Sequence, residues 1–382
     1  MKADVIIVGG GLMGSATAFF LRRRGLSVIL LERDLVGQAA TVASFGNIRR
    51  QGRFLPQLPL ANLSRDLWGR VPELIGEDVE FLASGHLRVC FRDAEIGRME
   101  QYARDCAPYG LKLELISRNA LRDRFPYLSP EAVMASYSPL DGHANPRLAA
   151  PAFARAARRE GAVVVEHAEV VGIARGAEDF VVETRAGTFR APMVQVSAGA
   201  WGQRLSAALG EDVPLTPAGP QMGVTEPAPY RIPEVMGIHT DVTEEGVYLR
   251  QVQRGNIVFG GGRRDAASLD TKRATLNPLN TMAQMPHLRR LLPAMAQLRV
   301  IRTWSGVEGY LRDDIPVMGP SGVTPGLFYA FGFCGHGFQL GPGVGATMAE
   351  LIATGRTSVP IEPFHIGRFA AASSTPPGPQ RG

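Results

Sequence analysis

DVIIVGGGLMGSATAFFLRRRGLSVILLER, residues 4–33, is the stretch from which the rest of the chain can be read. Residues 4–8 are a short apolar run rich in β-branched side chains, and residues 27–31 are another, so both read as strands. Between them, residues 12–24 carry apolar side chains at helical spacing and stop at Gly25, a residue suited to ending a helix. The order strand, helix, strand has Gly9, Gly11 and Gly14 at its first turn, in the pattern G-x-G-x-x-G. Gly9 allows a tight turn, Gly11 lets a pyrophosphate approach the backbone, and Gly14 lets the helix pack on the sheet, with the helix N-terminus facing the phosphates. Glu32, at the end of the second strand, is placed to accept from a ribose diol and to repel a 2′-phosphate, which favours FAD or NAD over NADP. The dinucleotide-contacting set read from this segment is Gly9, Gly11, Leu12, Met13, Gly14, Glu32 and Arg33; the bland alternative is a tight turn in some other α/β unit.

Composition narrows the class. With 382 residues, 45% of them hydrophobic, the chain can bury a sizeable core and form more than one domain. Its 41 basic and 36 acidic residues leave a formal charge of +5, scattered rather than gathered in a block, which argues against nucleic acid and suits an anionic cofactor or carboxylate substrate. Cys90, Cys106 and Cys334 form no CxxC pair, so neither a zinc site nor an iron–sulfur cluster is expected from this chain alone. No apolar run reaches membrane-spanning length and the first residues lack the features of a signal peptide, so a cytoplasmic protein without an integral membrane segment is expected.

The next segment, QAATVASFGNIRRQGR (38–53), is rich in small and polar residues. It would interrupt the βαβα order of an NAD enzyme. Here the chain resembles the D-amino-acid oxidase superfamily of FAD enzymes, whose ASxxNxG-like loop runs beside the pyrophosphate and the isoalloxazine; Ala43, Ser44 and Asn47 match it. The resemblance continues in GAVVVEHAEVVGI (161–173), which would supply a backbone contact to adenine at Val170. It continues again in VQVSAGAWGQRL (194–205), with Ala198, Gly199 and Trp201. It also accounts for GLFYAFGFCGHGFQLGPGVG (326–345), as a strand, a glycine loop and a helix aimed at the pyrimidine edge of the flavin. Amides around Gly337, Phe338 and Gln339, with the helix dipole, would then stabilise negative charge on the reduced ring, and Gly335 and His336 complete the expected cofactor contacts of this loop. The glycines would make room for that ring. His336 is read as a contact to flavin or substrate, with a histidine packed in a turn as the alternative. Cys334 is read as a small buried residue.

What the resemblance implies for the fold is an α/β, overall α+β, architecture of the glycine-oxidase and sarcosine-oxidase type. A Rossmann-like FAD-binding domain, discontinuous over 1–82, 142–213 and 318–370, joins a mixed-sheet substrate domain over 83–141 and 214–317. A Pro/Gly-rich tail, 371–382, is expected to be mobile. Strands are expected over 85–90, 131–138, 214–224, 246–251 and 256–260, with a proline-punctuated loop over 222–236. Tyr248, Arg250 and Arg263 are the substrate-contact candidates and, with His336, form the expected catalytic group; a solvated surface arginine is the alternative for each arginine.

Departures from the family carry information. Where glycine-oxidase-like relatives have a carboxylate-clamping arginine, TWSGVEGYLRDDIPVMG (303–319) has Glu308. No cysteine stands where relatives attach FAD, so FAD is expected to be non-covalent. Around GGGRRDAAS (260–268) there is Arg263 and Arg264 but no lysine, so rapid reaction with oxygen is not expected. The resemblance is greatest to β subunits of multi-subunit amine dehydrogenases and oxidases, including heterotetrameric sarcosine oxidase, opine oxidases, hydrogen cyanide synthase and D-hydroxyproline dehydrogenase. Partner subunits would carry electron-transfer centres, FMN and an iron–sulfur centre being possible only with them; HANPRLAAPAF (143–153) leaves FMN open. The expected reaction is oxidation of the C–N bond of an amino acid or secondary amine, of sarcosine, glycine, D-proline-derivative or opine type, to an imine. The alternatives are a single-chain oxidase producing hydrogen peroxide, an NAD-dependent dehydrogenase, and an FAD-binding structural subunit without turnover.

Overall fold

In the computed structural model, which describes residues 1–374, the first segment folds as Val5–Val8, Leu12–Arg22 and Val28–Leu31. These two strands lie in a six-stranded sheet ordered Val317–Pro320, Leu327–Phe331, Met193–Val196, Val5–Val8, Val28–Leu31, Val163–Val165. All neighbours are parallel except the first pair. Strands buried on both faces need apolar side chains at every position, which is why 5–8 and 28–31 read as unbroken apolar runs. Val5, Ile7, Val28 and Leu30 face a layer of helices, chiefly Leu12–Arg22 and Pro146–Arg159. Ile6, Val8, Ile29 and Leu31 face a three-stranded antiparallel sheet, Val170–Arg175, Phe180–Thr184 and Gly187–Ala191.

The second sheet runs Val300–Ser305, Leu215–Pro227, Asn256–Ser268, Val247–Gln251, Val235–Ile238, His86–Cys90, Met134–Ser138, Glu114–Ser117. Its strands alternate as a sheet with one covered face must. Leu87, Val89, Met236, Leu249 and Phe259 pack into one core with Leu288 and Leu291 of the helix Pro278–Leu291. His86, Arg88, Gly237 and Tyr248 belong to the other face. The loop expected over 222–236 is corrected: the strand continues to Pro227, and Val235–Ile238 is a buried strand pairing in parallel with His86–Cys90. Prolines at 227, 229 and 233 bracket only the short connection. The mobile tail expected from 371 lies, from residue 375 on, outside the described residues. No helix among the described residues is long and apolar enough to cross a membrane.

The first helix and the long C-terminal helix, Gly337–Thr354, lie against each other because glycines remove side chains at their contact. A β-carbon at Gly345 would sit 2.5 Å from Cβ of Ala16 and 2.7 Å from its backbone carbonyl carbon; one at Gly341 would meet Leu12. The N-terminal end of the same helix is tied down by Gln339, whose carbonyl accepts from Ser64 Oγ (2.6 Å) and Trp68 Nε1 (2.8 Å). Gly345→Val is therefore expected to destabilise the fold by about 1–3 kcal/mol through overpacking. Gly97→Ala, in the helix Ile96–Cys106 with nothing within 4 Å of the new methyl group, should instead stabilise it by about 0.5–1 kcal/mol. Chemical denaturation of the two variants beside the parent checks both signs.

Candidate active site

The strands Val5–Val8, Met193–Val196 and Leu327–Phe331 run in parallel and deliver Gly9, Ser197 and Gly332 to the rim of one cavity of about 1160 Å³. Its opposite wall is the open face of the second sheet. In open parallel sheets this is where ligands bind, just beyond the carboxyl ends of the strands. Both glycine-rich turns line it, Gly9, Gly11, Leu12 and Met13 from one end of the chain and Gly335, His336, Gly337, Phe338 and Gln339 from the other. Glu32, Arg33, Ser44, Asn47, Val170, Ala198, Gly199 and Trp201 also line it.

The glycines of the first turn do different things. Gly9 has φ +108°, and a β-carbon there would press on Ser197 O at 2.5 Å. Gly14 does not line the cavity; a β-carbon on it would collide with the Gly9 carbonyl oxygen, so it serves the packing of helix on strand. Gly11 is neither strained nor crowded, with φ −68° and only Thr41 Oγ1, at 3.6 Å, near its missing β-carbon. Nothing in the protein itself needs a glycine at that position. The helix that follows has no side-chain cap; apart from Leu12 N–H, which donates to Thr41 Oγ1 at 3.2 Å, its first amides are free for an anion. Glu32 accepts from the amides of Gly10 (2.7 Å) and Asp34 (2.9 Å), while burial pushes its carboxyl above the usual range. Each oxygen keeps acceptor capacity for a ribose hydroxyl. The Arg33 guanidinium lies over Trp201, 3.6 Å from the ring centroid.

At the other turn, positive φ explains more of the glycines than space does. Gly332 (+69°), Cys334 (+52°) and Gly335 (+78°) are all left-handed, the cysteine unusually so for a residue with a β-carbon. Gly337 is a packing glycine: a β-carbon on it would sit 2.9 Å from Phe333 Cβ. The Gly337–Thr354 helix also lacks a side-chain cap, so its N-terminal amides and dipole open on the cavity. Cys334 is buried, donates to Gly332 O and accepts from Leu311 N–H; burial pushes its thiol up to about 12, making it a poor nucleophile. Burial, with Arg53, Arg49, Arg264 and Arg88 around it, keeps His336 well below the ordinary histidine range and hence a neutral imidazole.

The substrate-contact candidates separate. Tyr248 lines the cavity, its hydroxyl 3.7 Å from Met222 Sδ. Arg250 does not: it is buried behind the wall, where Nε donates to Phe45 O (2.8 Å) and Nη1 lies 3.2 Å from His143 Nδ1. It props the 44–47 loop. Arg263 sits at the rim, largely exposed and paired with Glu244 at 2.7 Å. In their place the structure brings in Arg49, Arg53, Arg88, Arg264 and Glu308. Arg53 Nε donates to Arg49 O (2.8 Å) and Nη1 to Gln57 Oε1 (2.9 Å), and Arg49 reaches Gln51 O. Glu308 accepts from the Gly335 amide at 2.7 Å, has Tyr310 OH at 3.4 Å, and is raised above the usual carboxylate range by burial. Arg264 stacks over Tyr310, 4.0 Å from its centroid. A sequence signal for Arg88 existed: in HLRVC, Leu87 and Val89 are core residues, so the residue between them must face the other way.

The sequence profile described as FAD dependent oxidoreductase (DAO) matches residues 4–351. The chain is 28% identical to the glycine oxidase of Geobacillus kaustophilus, over 96% of this chain and 98% of that protein. It is 26% identical to the sarcosine oxidase β subunit of an Arthrobacter species, over 96% of this chain and 91% of that one. The crystal structure of L-proline dehydrogenase from P. horikoshii superposes with a TM-score of 0.91 at 27% identity, covering 97% of this chain and 98% of that one.

The space beside Gly11 gives a direct test of what fills the first turn. Gly11→Ala should leave the cofactor-free protein within about 0.5 kcal/mol of the parent, there being no contact to disturb. The same change should weaken FAD uptake at least tenfold, roughly 1.4 kcal/mol. Fluorescence titration with FAD and thermal melts of the apoprotein measure the two effects separately.

Proposed function

Because the chain belongs to the FAD-dependent oxidoreductase (DAO) family, we propose that it oxidises the C–N bond of an amino acid or secondary amine to an imine, which water then hydrolyses. Its cofactor is FAD, and the protein is an amino acid or amine oxidoreductase. The observation that carries the reading is the make-up of one cavity, which joins two uncapped helix N-termini to unpaired arginines on one wall and a half-buried carboxylate on another. The first turn and Glu32 would hold the pyrophosphate and ribose, Val170 would lie by the adenine, and Ser44 and Asn47 would border the diphosphate and ring. When bound, FAD supplies the two-electron acceptor for the hydride leaving the substrate's α-carbon.

The chain's own groups do the rest by position and charge. A guanidinium pairs with a carboxylate bidentately and fixes the amino acid end to end. Glu308, raised towards neutrality by burial, is the group that takes a proton from the substrate ammonium, leaving the lone pair free to form the C=N bond. Amides at the start of Gly337–Thr354 stabilise negative charge that develops nearby. His336, held neutral, offers a hydrogen bond but no charge.

On this reading residues 1–82, 142–213 and 318–370 form the FAD-binding domain, and 83–141 with 214–317 the substrate domain. Similarity to a sarcosine oxidase β subunit supports a catalytic β-type subunit in a larger dehydrogenase or oxidase, whose partner carries the onward electron-transfer centre. Leu276, Leu279 and Met282, at 49%, 69% and 66% exposure, give an apolar patch for such a partner.

Anaerobic stopped-flow mixing with a panel of amino acids and secondary amines tests the chemistry. Glu308 must be ionised to accept a proton, so the rate of flavin bleaching should rise with pH and level off above its raised pKa. Glu308→Gln should lower the plateau by about a hundredfold and remove that ionisation from the profile. A flat profile in the parent, or no bleaching by any amine, would sink the proposal.

A further inference from the structure

Four of the arginines that line the cavity, Arg49, Arg53, Arg88 and the exposed Arg264, make no ion pair among the described residues, whereas Arg33, Arg204 and Arg263 on its walls and rim each have a carboxylate partner; Arg264 instead stacks over Tyr310, 4.0 Å from its centroid, which leaves the first three as the set without such a contact. Arg53 is buried; Arg49 and Arg88 are half-buried at the cavity wall. Two of them converge: a β-carbon at Gly52 would overlap Nη1 of Arg88 and sit 2.9 Å from Nη1 of Arg49. Gly52, with φ +72°, thus gives way both to a left-handed turn and to the two guanidinium ends. The nearby Asp141 is spent on Arg50, at 2.7 Å. Burial draws Arg53 down to about 9 and Arg88 to about 10, which leaves both charged at neutral pH. Like charges are not packed together in a partly dry site without an anion to balance them.

The sheet fixes where that anion lies. Arg88 and Tyr248 are both in register with Gly237, on the strand between theirs, so their backbones stand about 10 Å apart with a side-chain-free floor between them. The strand that carries Glu308, Glu308–Leu311, pairs with Leu215–Pro227, which lies beyond Tyr248 from Arg88. Glu308, Gly237 and the three guanidinium groups line the same cavity, so a substrate whose amine reaches Glu308 can extend past Tyr248 towards the arginines. One carboxylate uses one fork; three forks exceed what a simple amino acid offers.

We propose that Arg49, Arg53 and Arg88 form a subsite for a second acidic group, so that the substrate is an amino acid or secondary amine bearing two carboxylates. The proposal rests on the amine-oxidation reading for the role of Glu308, but the subsite is measurable without turnover. Calorimetric titration of the FAD-loaded protein at low salt compares malonate, succinate and glutarate with acetate, propionate and butyrate. The best dicarboxylate should bind at least tenfold tighter than the monocarboxylate of equal length. Arg88→Met should reduce that preference to about twofold or less, and Arg88→Lys should restore part of it, because a point charge keeps attraction but loses the bidentate fit. Arg49→Met repeats the test at a second position, and melting curves confirm that each variant folds. Equal affinity for the two acid series overturns the subsite. So does a preference that survives both Met variants, or a loss that falls on FAD retention while leaving the preference intact. Bleaching by monocarboxylic amines without any dicarboxylate preference would leave the oxidation standing and remove the subsite. A dicarboxylate preference in a protein that no amine reduces would do the reverse.

Discussion

The contact between the helices Leu12–Arg22 and Gly337–Thr354 is the constraint on which the site depends. More than three hundred residues of chain separate the two, yet Gly341 and Gly345 let one lie on Leu12 and Ala16 of the other with almost no side chain between them. Each helix begins at a strand end of the same parallel sheet, so the close packing brings two positive helix termini to one cavity. Neither terminus has a side-chain cap to consume its amides. Two converging sets of donors are costly to hold together on their own and become favourable once a diphosphate and an electron-rich ring supply the acceptors.

What the sequence disclosed follows from how local the signals were. The first strand, helix and strand were legible to within two residues because burial on both faces, a glycine at each turn and a 3.6-residue repeat all act over short range. The two-sheet division was legible through the resemblance, and through the alternation of strands such as 247–251. Less visible were features decided by long-range register. Three prolines in 222–236 suggested a loop, but they flank rather than interrupt the buried strand Val235–Ile238, whose small residue Gly237 separates Arg88 from Tyr248. Arg250 shares a face with Tyr248, as strand periodicity requires, yet the 44–47 loop folds over it; periodicity gives the face of a strand and says nothing about what covers that face. Arg49 and Arg53 stood in plain view in NIRRQGR, and only the fold distinguishes them from Arg50, which turns away to Asp141.

Charge placement gives the site its polarity. His336 is half-buried among arginines, which keeps the imidazole neutral and, on the proposed reading, leaves it no cation opposite a reduced flavin. Stabilisation of that charge falls to backbone amides, which need no protonation and do not respond to pH. The titrating group is then Glu308, held by the Gly335 amide from the same loop. On the proposed reading, one turn therefore fixes both the dipole that would face the cofactor and the carboxylate that would face the substrate.

Glu308 also explains why the rest of the cavity is built as it is. Glycine-oxidase-like relatives are expected to have a carboxylate-binding arginine at this position, and a glutamate there repels the group that the arginine would hold. On the proposed reading the acid end of the substrate then lies elsewhere, and of the unpaired arginines that line the cavity Arg264 stands by Glu308 and Tyr310, which leaves Arg49, Arg53 and Arg88. Exchanging one side chain for its opposite charge would then call for a compensating grip several strands away, at Arg88 across the bare backbone of Gly237 from Tyr248. On the proposed reading the amine is drawn to Glu308 and the carboxylates to the arginines, so that the two ends of the ligand would be sorted by sign before any contact of shape is made. A ligand lacking either end would leave a buried charge uncompensated, and that cost makes the cavity selective.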